Sequence, residues 1–264
     1  TVHRARVEDP PFNKEVTNRD FGGDYAFVSF DVSAPAEIKI LSENKELSNT
    51  LLLPAGNKAE NIVKEAHSLS LKIAEPMQLE PDGKNGPLFL FANPVEDYIP
   101  EENDPNLIYF GPGEHRPENA LIKLKSNQTL YIADGAVVHA GVYIEGDKVT
   151  IRGRGILSGD EFVWGSSARH LIEINNSDNV LVKDVILQGA ATWSSVIRRS
   201  ENINIENMKV VGSRVQNDDG LNPVNSRNIR IRNCFIRTDD DCLAFKGKDS
   251  GSFDVKGISV ENCI

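Results

Sequence analysis

Apolar and polar residues alternate along most of this chain, and the form of the alternation changes near residue 106. From about Asp20 to Pro100 the apolar runs are short. Tyr25-Ala26-Phe27-Val28-Ser29-Phe30, Ala36-Glu37-Ile38-Lys39-Ile40, Leu69-Ser70-Leu71-Lys72-Ile73 and Pro87-Leu88-Phe89-Leu90-Phe91 are separated by Pro, Gly and Asn. Alternation of period two with such punctuation predicts short strands at the spacing of a β-sandwich. Only Lys58 to His67 hints at a helix, and a short one. Asn93 to Pro105 carries three prolines and several acids and reads as a linker. Residues 1–105 are thus expected to form an antiparallel β-sandwich with its linker, and residues 106–264 a second domain.

In that second part the pattern repeats. Asn179-Val180-Leu181-Val182-Lys183-Asp184-Val185-Ile186-Leu187 is echoed by Asn202-Ile203-Asn204-Ile205-Glu206-Asn207-Met208-Lys209-Val210. It returns as Asn228-Ile229-Arg230-Ile231-Arg232-Asn233-Cys234-Phe235-Ile236 and as Gly257-Ile258-Ser259-Val260-Glu261-Asn262-Cys263-Ile264, with Lys148-Val149-Thr150-Ile151-Arg152-Gly153 as a looser early copy. The offsets between the last four are 23, 26 and 29 residues. In each copy apolar residues alternate, an Asn or Asp breaks the strand, and apolar residues resume in a new direction. Self-similarity at this period marks a solenoid. The leucine-heavy consensus of leucine-rich repeats is absent, and strand-bend-strand units with Val and Ile inside predict a right-handed parallel β-helix. The fold class expected is all-β, a sandwich followed by that helix.

Coils can be set in phase through the bends. Leu171-Ile172-Glu173-Ile174, Ser195-Val196-Ile197-Arg198, Gly220-Leu221-Asn222-Pro223 and Cys242-Leu243-Ala244-Phe245 then lie side by side. The residues before the last three should stack on one face: Trp193 with Ser194, Asp218 with Asp219, and Asp240 with Asp241. Asp239 extends the last cluster. An indole beside two carboxylate pairs suits a sugar-binding cleft, with the ring on a pyranose and the acids at the glycosidic oxygen. Like charges so placed repel and push their pKa values apart, which lets one carboxyl act as an acid and another as a base. A calcium site or a structural cluster of turn aspartates remains open on the residues alone.

Composition narrows the partners. With 39 acidic and 29 basic side chains the net charge is −10, which argues against nucleic acid or an anionic membrane. No stretch approaches the roughly 18 apolar residues of a membrane span. Thr1-Val2-His3-Arg4 lacks a signal-peptide core, as in a cytoplasmic chain or a mature one with its signal absent. Cys234, Cys242 and Cys263 lack metal spacing and are expected to be small buried core residues. His139 and His170 stand far in sequence from the acids and are expected on the surface or in the core. Gly111-Pro112-Gly113 is a turn without the Lys-Ser/Thr of a phosphate loop. Asn127-Gln128-Thr129 fits a glycosylation sequon, a pattern common by chance.

Asn217-Asp218-Asp219-Gly220 resembles the Asn-x-Asp-Gly motif of glycoside hydrolase family 28, the polygalacturonases, and Asp240-Asp241-Cys242 resembles that family's Asp-Asp motif. Gly153-Arg154-Gly155-Ile156-Leu157-Ser158-Gly159 and the Trp193 region extend the likeness over roughly residues 107–264. A leading sandwich joined through Tyr109-Phe110-Gly111-Pro112-Gly113 to a β-helix also resembles family 49, the dextranases. The resemblance implies a glycan hydrolase, secreted or periplasmic, that acts with inversion and without metal or other cofactor on a polysaccharide or oligosaccharide. A pectic polymer is the expected substrate. It implies Asp240 as general acid and Asp219 with Asp241 as the carboxylates that position and deprotonate water. Trp193, Asn217, Arg214 and Lys246 are then candidates for substrate binding; the basic ones among them, like Arg198 and Arg199, could equally serve to neutralise the aspartates. Asp218 and Asp239 would add charge that raises the pKa of Asp240. The family's Gly-His-Gly and Arg-Ile-Lys segments are absent, and the chain stops inside a repeat, as a fragment of a longer protein would. The alternatives are a dextranase-like α-glucan hydrolase, a calcium-dependent polysaccharide lyase and a non-catalytic glycan-binding β-helix.

Overall fold

What turns a strand-forming sequence into a coil here is left-handed backbone at repeated positions. The computed structural model describes residues 2–5, 25–56, 59–84, 86–97, 100–101, 103–163, 169–212, 215, 217–248 and 254–264. The chain divides into two compact units, one ending at residue 98 and the other running from 99 to 264.

In the second unit every coil contributes strands to parallel sheets. One sheet has seven strands: Leu107–Phe110, Thr129–Ile132, Thr150–Arg152, Asp178–Lys183, Glu201–Glu206, Arg227–Arg232 and Lys256–Glu261. A second has six: Gly113–His115, Ala136–His139, Ile156–Ser158, Ile186–Gln188, Lys209–Val211 and Phe235–Arg237. The third has five, Leu121–Leu124, Gly141–Ile144, Ile172–Asn175, Ser195–Arg198 and Leu221–Val224, and parallel bridges Leu221–Leu243 and Val224–Lys246 extend it. This is a right-handed parallel β-helix. Register confirms the repeat read from sequence, since Val180 pairs with Ile203, Ile203 with Ile229 and Ile229 with Ile258. These inward columns of Val, Ile and Leu form one continuous buried core.

The polar residue that ends each copy of the repeat is the corner. Gly153, Asp184, Asn207, Asn233 and Asn262 occupy equivalent places between the first and second sheets, and all have positive φ. So do Asn127, Lys148, Asn179, Asn202, Asn228 and Gly257 near the start of the seven-stranded sheet's strands, and Asn176, Arg199 and Asn225 after the five-stranded sheet's. Asn and Gly populate this region at least cost, which explains why they recur at these places. Their side chains also link coils. Asn207 Nδ2 donates to Asp184 Oδ1 at 2.7 Å, Asn262 Nδ2 to Asn233 Oδ1 at 2.9 Å, and Arg154 pairs with Asp184 at 2.7 Å. Buried Ser177, Ser200 and Ser226 form a further ladder, each hydroxyl serving a neighbouring coil's backbone.

The first unit is a sandwich. A five-stranded sheet orders Val2–Ala5, Tyr25–Val32, Leu88–Pro94, Met77–Lys84 and Leu51–Leu53, and a three-stranded sheet orders Ala36–Leu41, Ser68–Ile73 and Ala59–Lys64. Leu69, Leu71 and Ile73 of the smaller sheet share a core with Met77, Leu79, Leu90 and Ala92 of the larger. One pairing is parallel, Tyr25–Val32 beside Leu88–Pro94. The helical hint over 58–67 is corrected: residues 57 and 58 lie outside the described set, and Ala59–Lys64 is a strand. It pairs antiparallel with Ser68–Ile73 through a bulge between Glu60 and Val63. Closure by the Glu65 amide donating to the Ser68 carbonyl, and β-branched Ile62 and Val63, outweigh the weak helical spacing.

Candidate active site

The five-stranded sheet and its extension fix the acids. Ser195 pairs with Leu221 and Leu221 with Leu243, so Ser194 lies level with Gly220 and Gly220 with Cys242. The Ser194 amide donates to the Asp219 carbonyl at 2.6 Å, and the Gly220 amide to the Asp241 carbonyl at 2.9 Å. Trp193 therefore levels with Asp219 and Asp241. The expected phase, Trp193 with Asp218 and Asp240, was off by one residue on the earlier coils, because coil lengths differ and similarity alone does not fix register. Applied one coil further back, the observed register brings His170 level with Trp193, since Ile172 pairs with Ser195. His170, Trp193, Asp219 and Asp241 thus form a column along the helix, with about 4.8 Å between coils.

Asp219 is 2% exposed. Lys246 Nζ donates to its Oδ2 at 2.6 Å, and Asn217 Nδ2 approaches its Oδ1 at 3.4 Å. Lys246 also donates to Asn222 Oδ1. The same ammonium lies 3.7 Å from the centroid of the Trp193 ring, and Lys248 Nζ lies 4.6 Å from it. Two cations thus lie against one indole and place positive charge at its face. Lys246 thus neutralises Asp219, one of the two roles expected of it, and lies beside the Trp193 ring.

Asp218 turns inward. It is fully buried, and its Oδ1 accepts the backbone N–H of Asp239 at 2.8 Å and of Asp240 at 3.3 Å. By these bonds it holds the loop that carries Asp239–Asp241. Gly212 belongs to this arrangement, since a Cβ there would sit 2.5 Å from Asp218 Oδ2. Asp240 and Asp241 stay exposed, and Asp240 Oδ1 accepts the Asp241 N–H at 3.0 Å. Thr238 Oγ1 donates to the Asp240 carbonyl at 2.9 Å.

The structure therefore gathers Trp193, Asn217, Asp219 and Lys246 by direct contact, with Asp241 in register with Asp219 and Asp240 next to it. Arg214 lies outside the described residues. Cys234 is buried as expected, whereas Cys242 is exposed, because its coil turns at the acidic loop; its thiol donates to the Ile236 carbonyl. Sequence reasoning missed Asn222, Lys248 and His170. His170 Nδ1 lies 2.8 Å from the Trp193 carbonyl, and the rings are 6.1 Å apart. Burial lowers its pKa below the ordinary value, against the opposing effects of that hydrogen bond and of the Glu173 and Asp219 charges, with Arg198 adding to the lowering. The signal was its place before Leu171, visible once the register is known.

Among the described residues no three of His, Cys, Asp and Glu are grouped to hold a metal ion. No helix among them is long and apolar enough to cross a membrane.

The three parallel sheets define the class of right-handed parallel β-helix proteins. The model of glycosyl hydrolases family 28 matches residues 126–263, more than half the chain, and the chain belongs to that family. It is 34% identical over 109 residues to a "Probable polygalacturonase" of Vitis vinifera, covering 40% of this chain and 22% of that protein. It is 31% identical over 88 residues to a "Polygalacturonase" of Chamaecyparis obtusa, covering 33% of this chain and 17% of that protein. The chain thus spans about a fifth of the length of these relatives. Among solved structures, Dex49A from Penicillium minioluteum superposes with a TM-score of 0.69 at 14% identity, covering 98% of this chain and 66% of that one. That likeness extends the shared fold over both units.

Proposed function

We propose that this chain carries the acid and base of an inverting hydrolase acting on a pectic polymer or oligomer. The observation that carries the reading is the ledge itself: a buried, lysine-held Asp219 in register with Asp241, next to an exposed Asp240 whose loop is anchored by Asp218. In this reading Asp240 protonates the departing glycosidic oxygen. Asp219 and Asp241 orient and deprotonate water on the opposite face, which requires carboxyls roughly 6.5–9.5 Å apart so that a water fits between. Lys246 has two tasks, to fix Asp219 and to present positive charge at the Trp193 face. That charge, with Lys248 beside it, supports a uronate as the sugar bound there despite the chain's net charge of −10. The names of the two curated relatives support the same substrate class. A polymer of that kind is met outside the cytoplasm, in keeping with a secreted or periplasmic enzyme.

The test is hydrolysis of polygalacturonate by the whole protein, followed by proton NMR. The first product should carry the β-configuration at its new reducing end, converted later to the equilibrium mixture. An α-configured first product would exclude inversion. Unsaturated, ultraviolet-absorbing ends that vanish with a chelator would instead indicate a calcium-dependent lyase.

A further inference from the structure

The outward side chains of the seven-stranded sheet fall into rows set by its register. In one row Glu201 is level with Arg227, and in another Glu206 is level with Arg232; both pairs close as ion pairs, at 2.6 and 3.0 Å. The row between them is built differently. Arg230 stands level with Asn204 on the preceding coil and with Ser259 on the following one, and neither neighbour is charged. Among the described residues the Arg230 guanidinium has no ion pair or hydrogen bond, and the side chains of Asn204 and Ser259 have none either. Three arginines on one strand thus have two carboxylates between them, and the middle one keeps its five donors unused.

A cavity of about 360 Å³ opens at this row. Arg230, Asn204 and Ser259 line it, with Asn202, Asn228 and Gly257 at one end. The asparagines there form a ladder. Asn202 Nδ2 donates to Asp178 Oδ1 at 2.6 Å and Asn228 Nδ2 to Asn202 Oδ1 at 3.3 Å, which leaves Asn228 Oδ1 as an acceptor. Gly257 takes the next place in the ladder, where a Cβ would come within 2.9 Å of that oxygen, so the missing side chain keeps it open. The site therefore offers a charged fork of donors, an amide, a hydroxyl and an acceptor oxygen across three coils, about 10 Å at the spacing of paired strands. A simple anion would use the donors alone. A ligand that carries a carboxylate and hydroxyls on one rigid ring would use them all, and a uronate is such a ligand. The site is separate from the ledge: Asn222 belongs to the five-stranded sheet and Arg230 to the seven-stranded one, with the Asn225 corner between them.

We propose that the outer face of the seven-stranded sheet carries a second glycan-binding site, in which Arg230 binds the carboxylate of a uronate unit and Asn204, Asn228 and Ser259 bind its hydroxyls. The inference rests on the hydrolase reading for the identity of the polymer, and it adds a task that the ledge does not perform. A long substrate held at this face stays at raised effective concentration near the cleft between cleavages.

Binding without turnover tests it, in whole protein carrying Asp240→Asn. Calorimetry with a short galacturonate oligomer should show two sites for each chain, and Arg230→Gln should abolish one of them. Retention on immobilised polygalacturonate should fall about five- to tenfold in the same variant, as expected for the loss of one exposed charged hydrogen-bonding group. Arg230→Lys, which keeps the charge and loses the fork, should keep part of that retention. Arg230 is exposed, so unfolding midpoints should be equal in all of these proteins. A single site in the parent, or two sites that persist in Arg230→Gln, overturns the second site and leaves the hydrolase reading standing. Inorganic phosphate that displaces the oligomer from this site at equal concentration would show a simple anion site and overturn the glycan assignment. Absence of binding to any galacturonate oligomer or polymer overturns both readings.

Discussion

Asp219 and Lys246 are the pair on which the ledge turns. A buried carboxylate that loses its ammonium is left uncompensated, so Lys246→Met should destabilise the fold by about 3 kcal/mol, somewhat less where water reaches the site. Thermal or urea unfolding measures this, and turnover should fall with it. Asp218 should behave differently from its neighbour. Asp218→Ala leaves two backbone donors of the acidic loop without their acceptor, at about 1–3 kcal/mol. It should lower kcat by displacing Asp240 while KM changes little, whereas a change to Lys246 should raise KM for anionic oligomers. His170 supplies a pH signature. Its pKa is lowered by burial, so the unfolded chain binds that proton more readily than the folded one. Stability therefore rises with pH up to the ordinary histidine value near 6.5 and is flat in this respect above it. Comparing unfolding midpoints of wild type and His170→Gln across that range should show the variant losing this part of the slope.

The aspartate clusters were legible in the sequence because their spacing matched the repeat. What each carboxylate does was not. Asp218 and Asp219 are adjacent, yet one faces the loop's backbone amides and the other Lys246, a division set by strand alternation and by the space beside Gly212.

At the scale of the element, the coils are held by corners. The Asn, Asp and Gly of the repeats were visible as strand breakers, and their common left-handed backbone explains them. Lys148 stands in such a ladder among asparagines and glycine, at φ 57°. Lys148→Gly should stabilise the protein by about 0.5–1 kcal/mol, measured by urea unfolding, because a long side chain there carries strain that glycine does not. Asn207→Val should do the reverse by about 2–4 kcal/mol, combining left-handed strain in a β-branched residue with loss of the buried bond to Asp184. Register was less legible than repetition. Coils of 20 to 31 residues carry their extra residues in the loops between strands, and an alignment by similarity cannot say on which side of a strand an insertion falls. That slip of one residue hid His170 from the ledge, and the exposed, bulged Ala59–Lys64 hid a hairpin edge behind weak helical spacing.

For the whole molecule, the change of pattern near residue 106 separated an irregular sandwich from a periodic solenoid, and each kind of order has its own cause. Inward columns of Val, Ile and Leu stack coil on coil, while the sandwich closes its core between two sheets of unlike size. The parallel pairing of Tyr25–Val32 with Leu88–Pro94 joins strands far apart in sequence, and local alternation carries no information about it. Charge is likewise distributed by site: a chain at −10 overall still places two lysines at the Trp193 indole.

The central claim is that the aspartates of the ledge perform acid and base catalysis. Reducing-end release from polygalacturonate by the whole protein and by its Asp240→Asn variant tests it most directly. A fall in kcat of about 10²–10⁴-fold with substrate affinity retained is expected. Turnover by Asp240→Asn at the wild-type rate would contradict it.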